Sequence, residues 1–115
     1  MKKLSLSLAA LVGLASPSMP SAHAQEEAPV REIEIVVRGG YQPHRITIRR
    51  GERVRLRFVR QDWSSCTREV VFPTLGIRRE LPVQAPVVVQ LPVLEAGEHP
   101  FHCGMNMIRG TLVVE

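Results

Sequence analysis

From residue 31 onward the chain alternates apolar and polar positions with a period of two. Ile33, Ile35 and Val37 alternate with Glu32, Glu34 and Val36. Ile46 and Ile48 alternate with Arg45, Thr47 and Arg49, and Val54, Leu56 and Phe58 with Arg53, Arg55 and Arg57. Side chains on a strand point to opposite faces in turn, so this period predicts half-buried strands. Gly39-Gly40 and Arg50-Gly51-Glu52 predict the turns between them. Further on, Val70-Val71-Phe72 is a short apolar strand stopped by Pro73. Leu75 to Leu81, with Gly76, reads as a connection, and Val87 to Leu91 as a strand between Pro86 and Pro92. Glu95-Ala96-Gly97 turns the chain into a strand ending at Cys103, and Thr111 to Val114 forms the last strand. Nine prolines, mostly between strands, leave little room for a long helix. The expected fold is all-β, a Greek-key sandwich or barrel of about seven strands.

The first residues read differently. Lys2 and Lys3 precede an apolar run, Leu4 to Leu14, and Ala22-His23-Ala24 is a small-x-small cleavage site. This is the pattern of an export signal over residues 1–24, with the mature chain expected to begin at Gln25. The apolar run is short for a bilayer span. The expected location is therefore periplasmic or secreted. Residues 25–30 read as a flexible leader and 31–115 as one domain, the size of a single modest core.

Charge adds little. The formal net charge is +4, but both lysines lie in the signal, and thirteen arginines against eleven acids leave +2 for the rest. Arg49, Arg50, Arg53, Arg55, Arg57 and Arg60 form a local cluster. Alternation spreads its middle members along one solvated sheet face, and aromatics are not interleaved with them, so a nucleic-acid partner is not expected.

The chemistry concentrates between Gly97 and Gly110. Cys103, Met105 and Met107 place a thiol and two thioethers within five residues, and soft sulfur donors select copper(I) over hard cations. Met105 and Met107 share parity and would face one way if that segment were extended; a methionine alone more often fills a core gap. The sequence offers no nucleophile, histidine and carboxylate in plausible order and no phosphate loop, so an enzyme is not expected.

The order of these segments resembles the cupredoxins, the blue-copper fold. Gly40-Tyr41-x-Pro43-x-x-Ile46 followed by Gly51-Glu52-x-Val54-x-Leu56-x-Phe58 is similar to the family's opening. Gly97-x-x-x-Phe101-x-Cys103 followed by Met107-x-x-Gly110-x-Leu112-x-Val114 is similar to its closing hairpin. The resemblance looks closest to small periplasmic domains related to an iron-uptake protein, with a "C-x-x-E-V-V-F-P" segment and an "F-x-C-G-M-x-M" loop. It implies one-electron copper chemistry and a ligand set near Cys103. This chain departs from the pattern, since Arg68-Glu69 stands where a first histidine would be and the loop after Cys103 holds none. The His₂Cys plane of a blue site therefore does not carry over. Cys66 is close enough to the first-ligand position to supply a sulfur instead.

The reading that follows is a copper-binding protein with Cys66, Cys103, Met105 and Met107 as ligands. It would carry or buffer copper(I), or exchange one electron, with a periplasmic or membrane redox or copper-transport protein as partner. The competing reading is a metal-free interaction module stapled by a Cys66–Cys103 disulfide, which suits an exported protein equally well. His44, His99 and His102 are expected outward. Glu69 either hydrogen-bonds the Cys103 loop or approaches the metal, or else pairs with an arginine at the surface, and Trp63 either shields the site or caps the sandwich.

Overall fold

In the computed structural model, the described residues are 13, 15 and 29–115. Apart from Gly13 and Ala15, the expected export signal lies outside them, as do residues 25–28 of the leader. Nine strands and one 3-10 turn follow one another, with no α-helix among the described residues. They are β1 (Val30–Val37), β2 (Tyr41–Gln42), β3 (Arg45–Ile48), β4 (Arg53–Arg60), the 3-10 turn (Ser65–Arg68), β5 (Glu69–Phe72), β6 (Ile77–Glu80), β7 (Val87–Gln90), β8 (Gly97–Cys103) and β9 (Arg109–Val114). They form two sheets, β2-β1-β4-β7 and β3-β9-β8-β5-β6. β1 starts one residue earlier than the expected domain boundary.

The alternation that predicts the strands also fixes which face is buried. In the first sheet β1 and β4 run parallel, with Ile33 beside Leu56 and Ile35 beside Phe58. Ile35, Val37, Val54, Leu56, Phe58 and Val89 turn inward and are almost fully buried. The other sheet contributes Ile46, Ile48, Val70, Phe72, Phe101, Leu112 and Val114. At the centre, Phe101 lies 4.9 Å from Tyr41, 5.2 Å from Phe72 and 6.1 Å from Phe58, centroid to centroid. Aromatic pairs at such spacings add about 0.5–1.5 kcal/mol each beyond the area they bury. Gly110 on β9 makes this packing possible, because a Cβ there would sit 2.3 Å from Phe101 Cζ.

The outward face of the first sheet carries the expected arginines Arg53, Arg55 and Arg57, the last two with an acid beside them. The parallel register puts Glu32 next to Arg55 and Glu34 next to Arg57. Arg55 reaches Glu32 at 3.2 Å and Arg57 pairs with Glu34. These pairs are exposed and worth little stability, about 0–1 kcal/mol each. Their consequence is that Arg55 and Arg57, at the middle of this face, are matched by carboxylates.

Two expectations need correction. The stretch Leu75 to Leu81 is not a plain connection: Ile77–Glu80 is strand β6, paired with β5 from Phe72↔Ile77 to Glu69↔Glu80. β6 is an edge strand with one half-buried apolar residue and three exposed charged ones, so no alternation marks it. Arg60 does not belong to the exposed arginine cluster. It shares parity with Leu56 and Phe58, points inward, and is 7% exposed.

Candidate metal centre

The two cysteines reach each other by different routes. Cys103 is the last residue of β8, inward-facing like Phe101 two positions earlier, and fully buried. Cys66 sits on the 3-10 turn just before β5, and β5 pairs with β8 so that Val70 lies beside Cys103. Their Cα atoms are 5.7 Å apart and their sulfurs are joined as a disulfide. A separation of 37 residues is thus closed by the ladder between β5 and β8.

The turn carrying Cys66 is pinned by polar groups rather than by apolar packing. Ser64 caps it, its hydroxyl accepting from the Cys66 N–H at 3.1 Å. The Arg60 guanidinium donates to Thr67 Oγ1 at 3.0 Å, Ser64 O at 2.8 Å and Leu81 O at 2.9 Å. The Thr67 hydroxyl, itself fully buried, donates to Asp62 Oδ1. Asp62 also accepts from the N–H groups of Gly39 and Ser64 at 2.7 and 3.1 Å. Desolvation alone would raise the Asp62 pKa. The hydrogen bonds from Gly39, Thr67 and Ser64, with the Arg60 charge 3.8 Å away, outweigh it and hold the carboxyl below its ordinary value. This set of residues was missed in the sequence. The parity of Arg60 with Leu56 and Phe58 is the one signal that could have revealed it.

The loop from Cys103 to Ile108 wraps around the Cys103 sulfur. Cys103 O accepts from Asn106 N at 2.9 Å, and the Cys103 N–H returns to Ile108 O at 3.0 Å. Asn106 takes the left-handed conformation, φ 56°, that asparagine tolerates in tight turns. Cys103 Sγ then accepts from two backbone N–H groups, Met107 at 3.3 Å and Ile108 at 3.4 Å. Such donors stabilise negative charge on a sulfur and are what a thiolate requires. Gly104 donates to Cys66 O at 3.2 Å, tying this loop to the turn.

The thioethers stand differently from the thiols. Met105 and Met107 are 58% and 76% exposed, so neither is part of the core. Because the segment is a turn and not extended, their shared parity does not align them. Met105 lines an open cleft of about 520 Å³ with Ser65, Arg68, Glu69, Glu80 and Gly104. Met107 places its backbone against the Cys103 sulfur and its side chain outward. Unbranched, exposed thioethers two and four residues from Cys103 are free to turn toward an ion held there.

The remaining candidates resolve as follows. His102 is half-buried on the outward parity, with Nδ1 2.7 Å from Cys103 O, and His44 is exposed. His99 is not freely solvated: it is half-buried, its Nε2 2.9 Å from Glu95 O. Glu69 pairs with Arg78 at 2.7 Å; it lies against Gly104, where a Cβ would meet its Oε1 at 2.8 Å, but among the described residues it makes no hydrogen bond to the Cys103 loop. Trp63 is 83% exposed and does not cap the sandwich. Among the described residues no three His, Cys, Asp or Glu side chains converge as a metal site. Any ion here would therefore rest on the sulfurs. Once reduced, two adjacent cysteine sulfurs, with N–H groups aimed at one of them, and two exposed thioethers form a soft donor set that fits copper(I) and suits hard cations poorly.

The fold and this end of it define a cupredoxin-like protein. The family model for the cupredoxin-like domain matches residues 5–114, and the chain belongs to that family. Two solved structures are similar at substantial identity. One is the metal-binding domain of the Streptococcus pneumoniae Cu(I)-exporting P-type ATPase CopA with Cu(I). It is 31% identical, covers 78% of this chain and 89% of its own, and has a TM-score of 0.72. The other is a copper binding protein in its apo form, 40% identical, covering 75% and 88%, with a TM-score of 0.70. A reduced Cu(I) amicyanin variant, 19% identical with a TM-score of 0.53, shares the fold alone. No curated protein sequence matches the chain.

Proposed function

We propose that this is an exported, periplasmic copper(I)-binding protein that carries or buffers the ion for a membrane or periplasmic partner. In its reduced form Cys66 and Cys103 hold copper(I) as thiolates, and Met107 and Met105 complete the coordination as thioethers. The observation that carries this is the convergence of two sulfurs from positions 37 apart, one of them facing two backbone N–H donors. The two similar structures with copper in their descriptions support the same chemistry. Among the described residues no histidine ring is bonded to either sulfur, those of His99 and His102 meeting backbone carbonyls, so the site favours copper(I) over the copper(II)–thiolate state of a blue centre. Carriage is thus favoured over fast electron transfer.

The test is an anaerobic titration of the reduced protein with copper(I) against a chromophoric chelator. Stoichiometric, colourless binding is expected, lost in Cys66→Ser and in Cys103→Ser and weakened in Met107→Leu. An intense blue band on oxidation would shift the role to electron transfer. A fully reduced protein that takes up no copper would leave the other reading, a sandwich module stapled by Cys66–Cys103. The bonded state of the two sulfurs is the observation that favours that second reading.

A further inference from the structure

The two readings of the cysteine pair need not compete. We propose that Cys66–Cys103 is a redox gate on copper(I) binding, opened by a dithiol that attacks Cys66 and expels Cys103 as the leaving thiolate. This rests on the copper(I) reading above and adds direction and control to it.

A disulfide sulfur carries no thiolate charge, and the thiolate is the form that ligates metal. The oxidised pair is therefore closed to copper(I). Which sulfur an incoming thiol meets is set by access. Both residues are buried, Cys103 completely and Cys66 to all but 6%, and the cleft is lined by a neighbour of each, Ser65 and Gly104, so a thiol entering it meets Cys66 at the slightly more exposed residue. Which sulfur leaves is set by what stabilises its charge. Cys103 Sγ faces the N–H groups of Met107 and Ile108, and no such bond reaches Cys66 Sγ among the described residues. Charge stabilisation decides the leaving sulfur and the small difference in exposure runs the same way, and exchange rates depend on both the sulfur attacked and the quality of the leaving thiolate.

The step balances with a dithiol as reductant. One thiolate of the dithiol attacks Cys66 Sγ and a mixed disulfide forms. The Cys66–Cys103 bond breaks and its electron pair stays on Cys103 Sγ. The second thiol of the reductant, on losing its proton, attacks its own partner sulfur in the mixed disulfide and releases Cys66 as a thiolate. Two electrons pass from the dithiol, which becomes a disulfide, to the protein, and the two protons go to solvent. Reversal by a disulfide oxidant discharges copper(I) with its charge unchanged. The turn and the loop are also tied by contacts that do not pass through the sulfur–sulfur bond. These are the Arg60, Thr67 and Asp62 contacts and the Gly104-to-Cys66 hydrogen bond, none of which uses a sulfur atom.

The experiment uses the oxidised full-length mature protein and glutathione as the probe thiol. Glutathione is added with an excess of an alkylating agent, the reaction is quenched with acid, and the cysteine peptides are mapped by mass spectrometry. Glutathione is expected on Cys66 and the alkyl group on Cys103, at least about tenfold over the reverse. An even mixture, or glutathione on Cys103, overturns the assignment of the attacked sulfur. In parallel, the oxidised and reduced forms are titrated with copper(I) against a chelator. Binding by the reduced form alone is expected. Equal binding by both overturns the gate and leaves the copper reading standing, and binding by neither overturns both.

Discussion

Arg60 offers the sharpest test of how the site is held. Replacing it with Met keeps the aliphatic stem and removes three hydrogen bonds, to Thr67 Oγ1, Leu81 O and Ser64 O. Ser64 is exposed, so water replaces that partner at small cost. Thr67 and Leu81 are 0% and 2% exposed, so their oxygens are left without the donor. Stranding a buried acceptor costs about 1–3 kcal/mol, giving about 3 kcal/mol for the pair after the relief of no longer burying a cation. Arg60→Lys is expected to lose about two-thirds of this, because one ammonium cannot reproduce the forked contacts. The measurement is guanidinium unfolding of the reduced protein, so that the disulfide does not mask loosening of the turn. Copper(I) affinity should fall about tenfold or more, as when a supporting group around a metal ligand is removed. An Arg60→Met protein within about 1 kcal/mol of the parent, with unchanged copper(I) affinity, would refute the claim that this guanidinium positions Cys66.

Three further outcomes are expected. Gly110→Ala should destabilise by about 3 kcal/mol in denaturant unfolding, because the new Cβ meets a Phe101 ring wedged between Phe72 and Tyr41; a change under 1 kcal/mol would show that the ring gives way. Tyr41→Phe should be neutral or raise stability by about 1 kcal/mol, read as a higher denaturation midpoint with an unchanged slope, since the buried Tyr41 hydroxyl has no hydrogen-bond partner. Asp62 titrates below its ordinary value, so the stability it adds is present above the unfolded carboxyl pKa of about 4 and is lost as pH falls through the lower folded value. The stability gap between the parent and Asp62→Asn should therefore be widest near neutral pH and close in acid, and a gap constant from pH 7 to pH 2.5 would contradict the assignment.

How far the sequence can be read depends on whether the signal is local. Strands β1, β3 and β4 were legible because one face of each is buried, and burial writes itself as alternation. β6 was not legible, because an edge strand held by backbone pairing needs no apolar face. The soft chemistry after Cys103 was legible from residue types alone. The exposure of Met105 and Met107 was not, since parity means nothing once the segment turns. Arg60 had the right parity for burial but the wrong residue type, and only its fork of partners makes an inward arginine stable.

By itself, then, the sequence determined the all-β class, the inward faces and the presence of sulfur near the final hairpin, because each follows from neighbours along the chain. Tertiary structure decided that Cys66 meets Cys103, that a buried guanidinium and a carboxylate hold their turn, and that one of the two sulfurs receives a pair of backbone N–H groups. Those facts depend on the pairing of β5 with β8 and on contacts between residues far apart in the chain, which residue order alone does not encode in any single stretch.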